Sequence, residues 1–141
     1  MSEENVEAFK RGLEAGNRGD VETLLVELDP EVEWHSALHA FLGGEQTVFR
    51  GHDGVRDMLR DLNDAFSEIH IEISEILDLG ERLVAIGHNT ARGKASGAET
   101  ETPFALVTEF KNGKTILVRG YLDPNKALEA VGLSGHDAHA D

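Results

Sequence analysis

The chain has 141 residues, of which 40% are hydrophobic and 28% charged, a composition typical of one globular domain and unlike that of disordered or membrane proteins. Its net charge of −14, from 27 acidic and 13 basic residues, argues against a nucleic-acid or anionic-membrane partner, because such binding depends on Lys and Arg. The acidity indicates a solvated, repulsive surface or a salty habitat. The absence of cysteine excludes disulfides, thiolate nucleophiles and cysteine-ligated metals, and the acidic N-terminus without an apolar run predicts a cytoplasmic protein.

Three helices are predicted in the first half of the chain. Apolar residues at helical spacing over 6–13 predict a helix that ends at 16–19 (GNRG), and Asp20 is placed to cap a second helix that stops at 29–30. A short strand follows at 32–35, and 36–50 is expected to be an irregular connection. A third helix begins at 51–54 and presents Leu59, Leu62 and Phe66 on one apolar face.

The second half switches to the two-residue period of strands. Alternating runs begin at Ile69 and near Leu83, and the strands 104–110 and 115–122 flank a Lys-Asn-Gly-Lys hairpin signal at 111–114. Asp123-Pro124 is suited to cap and begin a closing helix. We therefore predict a single α+β domain over 1–133, in which helices close over a strongly curved antiparallel sheet around an internal pocket. A loose tail is expected at 134–141.

Five segments in this order resemble the SnoaL-like, ketosteroid-isomerase-like superfamily, also called nuclear-transport-factor-2-like: 17–22 (NRGDVE), 29–34 (DPEVEW), 49–55 (FRGHDGV), 112–114 (NGK) and 119–123 (RGYLD). The resemblance spans nearly the whole chain. It implies a cone-shaped sheet that encloses a pocket, and a homodimer formed through the outer face of that sheet. It does not fix the activity, because the same cone hosts isomerases, cyclases, hydrolases and binding modules.

The catalytic carboxylates of well-known relatives do not carry over. The positions that match the tyrosine and two aspartates of ketosteroid isomerases are Gly12, Trp34 and Leu106. The last-strand aspartate of limonene-epoxide-hydrolase-like members and SnoaL-type cyclases corresponds to Gly120. The Arg-x-Asp pair of the hydrolase-like members corresponds to 88–90 (HNT).

His88 is the polar residue that we expect in the pocket, because Val84, Ile86, His88 and Thr90 share one strand face and the first two are apolar. There it could serve as an acid, a base or a hydrogen-bond donor, whereas in a packed core or at an exposed strand end it would have no such role. Trp34 is either a stacking wall for an apolar ligand or simple core.

The register of the 111–114 hairpin decides which face of the last strand meets the pocket. A two-residue turn would place Arg119 and Tyr121 on the face of Leu106, whereas a three-residue loop with a bulge would place Val118, Gly120 and Leu122 there. The family's use of the Gly120 position favours the second arrangement. Arg119 and Tyr121 then lie on the outer, dimer-forming face, and Asp123 acts mainly as a helix cap.

Other polar residues have structural explanations. Glu75 interrupts an apolar face and is either bulged outward or a pocket carboxylate, and we favour the bulge. His35 and His39 lack a third ligand nearby, and His136 and His139 lie in the tail, so no metal or other cofactor is expected.

The leading hypothesis is a homodimer that binds a small, largely apolar molecule, with His88 as acid/base and Thr90 or Thr108 as hydrogen-bond donor in an isomerisation, cyclisation or hydration. The alternative is a non-catalytic binding or interaction module. The predicted pocket residues are Trp34, Leu59, Leu62, Phe66, Val84, Ile86, His88, Thr90, Leu106, Thr108, Val118, Gly120 and Leu122.

Overall fold

The computed structural model describes residues 2–42 and 47–133, so the predicted tail at 134–141 lies outside the described residues. Along the chain its elements are α1 (Ser2–Asn17), α2 (Val21–Val26), β1 (Leu28–His35), a 3-10 helix (Leu38–Leu42), β2 (Val48–Arg50), α3 (Gly51–Ala65), β3 (Phe66–Asp78), β4 (Arg82–Gly93), β5 (Glu99–Lys111), β6 (Lys114–Tyr121) and α4 (Pro124–Ala130). No helix within the described ranges is long and apolar enough to cross a membrane.

The helix ends follow the capping signals in the sequence. Asp20 caps α2 by accepting hydrogen bonds from the Thr23 amide and hydroxyl, at 3.2 and 2.7 Å. Asp123 caps α4 by accepting from the Asn125 amide at 3.0 Å, and Pro124 occupies the first turn. Helix α2 ends at Val26, earlier than predicted, because the chain already joins β1 at Leu28.

One curved, unclosed sheet holds all six strands in the order β2-β1-β6-β5-β4-β3. The predicted α+β fold class is confirmed, with one parallel pair, β1 with β6, in an otherwise antiparallel sheet. The connection predicted to be irregular contains β2, where Phe49 lies opposite Trp34 of β1. Three residues are too few for a strand period to be visible in the sequence.

The hairpin between β5 and β6 combines features of both predicted arrangements. Asn112 and Gly113 have φ of 54° and 80°, as a two-residue turn of this type requires. One extra residue, Ile116, then interrupts the β6 ladder, so that Gly120 pairs with Leu106. The predicted inward placement of Gly120 is therefore observed, although an internal bulge and not a longer loop produces it.

The two sheet faces pack against different helices. The inner face forms the main core with α1, α2 and α3, and the cavity described below lies within this core. The outer face is covered in part by α4, whose Ala127 and Leu128 pack against Val84 and Val107. A register shift after Ile73 turns Glu75 to the outer face beside Ile86, as the favoured bulge predicts.

Candidate functional site

A cavity of about 540 Å³ lies between the inner sheet face and helices α1 and α3. Volumes in this range are typical of sites for small organic molecules. Most of its wall is apolar and comes from α1, α2, α3, the 3-10 helix and four strands. The apolar side chains of the wall include Phe9, Leu13, Leu24, Leu28, Trp34, Leu38, Met58, Leu59, Leu62, Phe66, Phe104, Leu106 and Val118.

Eight of the residues predicted for the pocket lie on the cavity wall. They are Trp34, Leu59, Leu62, Phe66, Leu106, Thr108, Val118 and Gly120. Leu122 packs against the same core but does not reach the wall.

The predicted β4 face is the wrong one. Val84 and Ile86 belong to the outer cluster beneath α4, and His88 and Thr90 continue that outer face, where His88 is exposed. The residues that face inward are the alternate set that includes Leu83, Ala85 and Asn89. Both faces of β4 begin apolar, because α4 covers one and the core covers the other, so alternation alone could not distinguish them.

Arg119 and Tyr121 lie on the outer face, with Arg119 opposite His35 of β1. The His35 side chain is hydrogen-bonded to Glu33 at 2.6 Å. This bond, aided by the positive charges of Arg50 and Arg119, lowers the pKa of Glu33 below its ordinary value. His35 therefore belongs to an outer ion cluster and lies apart from His39.

Charged and polar residues also line the cavity. They include Arg18, Glu27, Glu68 and His70, of which Arg18, Glu68 and His70 are exposed to solvent. The Arg11 side chain donates to Glu27 at 3.0 and 3.2 Å, a pairing that raises the pKa of Arg11 above its ordinary value. A wall that is mostly apolar and carries a few polar residues favours ligands that bury an apolar body.

Thr108 contributes a polar group to the apolar wall. Its side chain is 2% exposed, and its hydroxyl makes no hydrogen bond to any residue that the structure describes. Burial of a hydroxyl without a partner is unfavourable. The Thr108 hydroxyl is therefore a buried polar group at a cavity-lining residue, and no described residue satisfies its hydrogen bond.

A second polar feature, missed in the sequence, lies at the end of β1. The Ser36 Oγ is 2.7 Å from His39 Nδ1, and His39 Nε2 is 3.2 Å from an Asp61 carboxylate oxygen on α3. His39 is buried, and its ring packs on Phe49 at 4.7 Å between centroids. Of these three polar residues, only Ser36 reaches the cavity wall.

The chain at Ser36 is held against β6. The Ser36 amide donates to the Thr47 carbonyl at 2.7 Å, and the next residue, Ala37, lies directly over Gly120. A Cβ on Gly120 would be 3.1 Å from the Ala37 amide nitrogen. A side chain at 120 would therefore press on this segment, at the position where the resemblance implies an aspartate in cyclases and epoxide hydrolases.

An α+β cone with an internal cavity between sheet and helices is the architecture of nuclear-transport-factor-2-like (NTF2-like) proteins. The SnoaL-like domain model matches residues 9–118, and the chain belongs to this family. No curated protein matches the chain.

Solved structures share the fold over most of their length. An NTF2-like protein of unknown function from Burkholderia pseudomallei is 24% identical, with a TM-score of 0.76 over 92% of this chain and 98% of that chain. TerC, co-crystallised with polyporic acid, is 21% identical, with a TM-score of 0.77 over 89% and 96%. A candidate SnoaL-like polyketide cyclase from Mesorhizobium loti is 19% identical, with a TM-score of 0.64 over 82% and 97%.

Proposed function

We propose that this protein binds a small, mostly apolar molecule in the cavity between its sheet and helices. The observation that carries the proposal is a cavity of about 540 Å³ with apolar walls and the unpartnered Thr108 hydroxyl among them. A ligand that buries an apolar body and presents one polar atom, such as a carbonyl oxygen, to Thr108 fits this chemistry. TerC, which shares the fold, was co-crystallised with polyporic acid, and this supports a small organic ligand for the present chain.

An acid/base role for His88 is not part of the proposal, because its imidazole lies on the exposed outer face, away from the cavity. The structural likeness to a candidate polyketide cyclase is consistent with either an enzyme or a binding module. An enzyme and a binding module both bind a ligand, so ligand binding is tested first.

The test is a thermal-shift screen with small apolar ketones, lactones and aromatics, because a ligand that binds only the folded state raises its melting temperature. Leu59→Trp fills the cavity from α3 and is expected to weaken binding at least about tenfold. His88→Ala, on the outer face, is the matched control and should bind as the wild type does.

Equal binding by Leu59→Trp and wild type would place the ligand elsewhere. If no compound in the panel raises the melting temperature, the proposed function is contradicted. Binding without turnover of any compound would favour the non-catalytic module.

We also propose that a second copy of this chain packs against the part of the outer sheet face that carries Arg119 and Tyr121. Helix α4 covers chiefly the neighbouring part of that face, around Val84 and Ile86. Both Arg119 and Tyr121 remain partly accessible within one chain.

A further inference from the structure

We propose that Ser36 is an activated nucleophile that attacks small apolar esters, with His39 as its base and Asp61 as the residue that positions His39. The proposal rests on the proposed function, because it takes the same cavity as the site where the ester binds. It assigns to that cavity a reaction class, acyl transfer to a serine hydroxyl.

Hydrogen-bond directions follow from the chemistry of the three groups. An Asp61 carboxylate can only accept, so His39 Nε2 carries a proton and donates to it over 3.2 Å. In a neutral imidazole Nδ1 is then the acceptor, and the Ser36 hydroxyl donates to it over 2.7 Å. The hydroxyl proton therefore already points at a base, as nucleophilic serines require.

The three residues form a line from the cavity to the surface. Ser36 is on the cavity wall, His39 is 4% exposed behind it, and the Asp61 side chain is 49% exposed on α3. The Phe49 ring, itself buried, fixes the imidazole plane. Of the three residues only Ser36 lines the cavity, so the Ser36 hydroxyl attacks a bound ester, and His39 takes part only in the proton transfers beside it.

Compared with the serine protease arrangement, the two imidazole nitrogens have exchanged roles: Nδ1 receives the serine proton and Nε2 is held by the carboxylate. Such a site requires a hydroxyl bonded to one imidazole nitrogen and a carboxylate bonded to the other. Either nitrogen can take either role. Asp61 lies 22 residues beyond His39, on a different helix, so the contact depends on the tertiary fold.

The reaction balances without a cofactor. The Ser36 oxygen forms a bond to the ester carbonyl carbon while its proton passes to His39 Nδ1. The carbon–alkoxy bond then breaks, and the leaving alkoxide takes the proton from His39 as an alcohol. Water, deprotonated by His39, cleaves the acyl-serine to release the acid and regenerate the hydroxyl.

The experiment uses diisopropyl fluorophosphate, a small apolar reagent that phosphorylates activated serines with loss of fluoride. Wild type should gain one diisopropylphosphoryl group, localised to Ser36 by peptide mass spectrometry. Ser36→Ala should gain none. Ser74→Ala removes a serine from the exposed side of β3 and should be labelled at the wild-type rate.

Variants of His39 and Asp61 test whether the hydrogen-bonded chain Ser36–His39–Asp61 activates the serine. His39→Gln should slow labelling at least about a hundredfold, and Asp61→Asn at least about tenfold, without change in the affinity for unreactive ketones. Asp61→Asn keeps the shape of a half-exposed side chain and is expected to fold, so it remains informative if His39→Gln does not.

The outcomes separate the two proposals. Ketone binding without labelling of Ser36 overturns the nucleophile and leaves the proposed function intact. Labelling at Ser36 without binding by any apolar compound supports the nucleophile and contradicts the proposed function. Labelling at the wild-type rate in Asp61→Asn overturns the positioning role, and labelling of a serine other than Ser36 overturns the whole assignment.

Discussion

Gly120 of β6 and Ala37, in the segment that follows β1, are in direct contact: a Cβ on Gly120 would lie 3.1 Å from both the amide nitrogen and the Cβ of Ala37. Ser36, the residue before Ala37, lies on the cavity wall. A side chain at position 120 would therefore disturb the segment that carries Ser36.

We expect Gly120→Ala to reduce the free energy of unfolding by about 1–3 kcal/mol, because the new methyl group must displace backbone. Gly120→Asp should reduce the free energy of unfolding by at least as much, and it should also slow the labelling of Ser36. Urea unfolding followed by Trp34 fluorescence measures the first effect. Gly16→Ala is the control: a methyl group there would meet no atom of another described segment within 4 Å, so alanine should leave stability unchanged or higher.

Asn17 joins the end of α1 to β3. Its side chain donates to the Ile71 carbonyl at 2.8 Å and accepts from the Ile71 amide at 2.9 Å. Asn17→Ala leaves both backbone groups without this partner and should cost about 1–3 kcal/mol of unfolding free energy in urea titrations. Asn125 is exposed on α4, so Asn125→Ala should reduce the free energy of unfolding much less. Equal losses would mean that the Asn17 bridge contributes nothing specific.

Thr108→Val tests the unpartnered hydroxyl. Removal of a buried polar group that has no partner should leave the ligand-free protein equally stable or more stable, by up to about 1 kcal/mol. The same change should weaken binding of ketones more than that of hydrocarbons of similar shape. Calorimetric unfolding and isothermal titration measure the two effects. A clear loss of stability would show that the hydroxyl has a structural role.

Acid should weaken the start of α2. Hydrogen bonds from the Thr23 hydroxyl and amide lower the pKa of Asp20 below its ordinary value of 3.8. A carboxyl with a lowered pKa in the folded state contributes stability fully above its unfolded value, and this is lost as the pH falls through the folded pKa. Asp20→Asn keeps an acceptor without the charge, so its urea midpoint should fall less between neutral pH and about pH 3. Asp64→Asn, on the exposed side of α3, should retain the wild-type profile.

Tyr121→Asp tests the proposed self-association. A carboxylate on the outer face would have to be desolvated at a subunit contact, so the variant should dissociate at concentrations where the wild type associates. Sedimentation velocity measures the mass, and near-UV circular dichroism verifies the fold, because Tyr121 also packs against the cluster under α4. The same mass for both proteins would contradict this interface.

Local signals in the sequence predicted most of the architecture. Asp20, Asp123 and the Asn112-Gly113 turn act through neighbours two or three residues away, so their effect was visible without tertiary information. The fold and family were predicted from the order of five short segments, and both are confirmed.

The candidate site was less predictable, because it depends on contacts between distant segments. The inward face of β4 could not be recognised because α4, which begins 31 residues after the end of β4, makes the outer face apolar too. The contact of His39 with Asp61 requires the chain after β1 to pack on α3. The only local clue was the three-residue spacing of Ser36 and His39, which spans the start of a 3-10 helix that was not predicted from the sequence.

The extra residue at Ile116 has an evolutionary consequence. Because a strand alternates its side chains, a ladder that paired Ile116 instead of leaving it as a bulge would exchange the two surfaces of the rest of β6. Arg119 and Tyr121 would then face the cavity, and Val118 and Gly120 would face outward. A substitution that abolished the bulge would thus give the family a charged, phenolic chamber, whereas deletion of Ile116 would leave every later residue of β6 opposite its present partner.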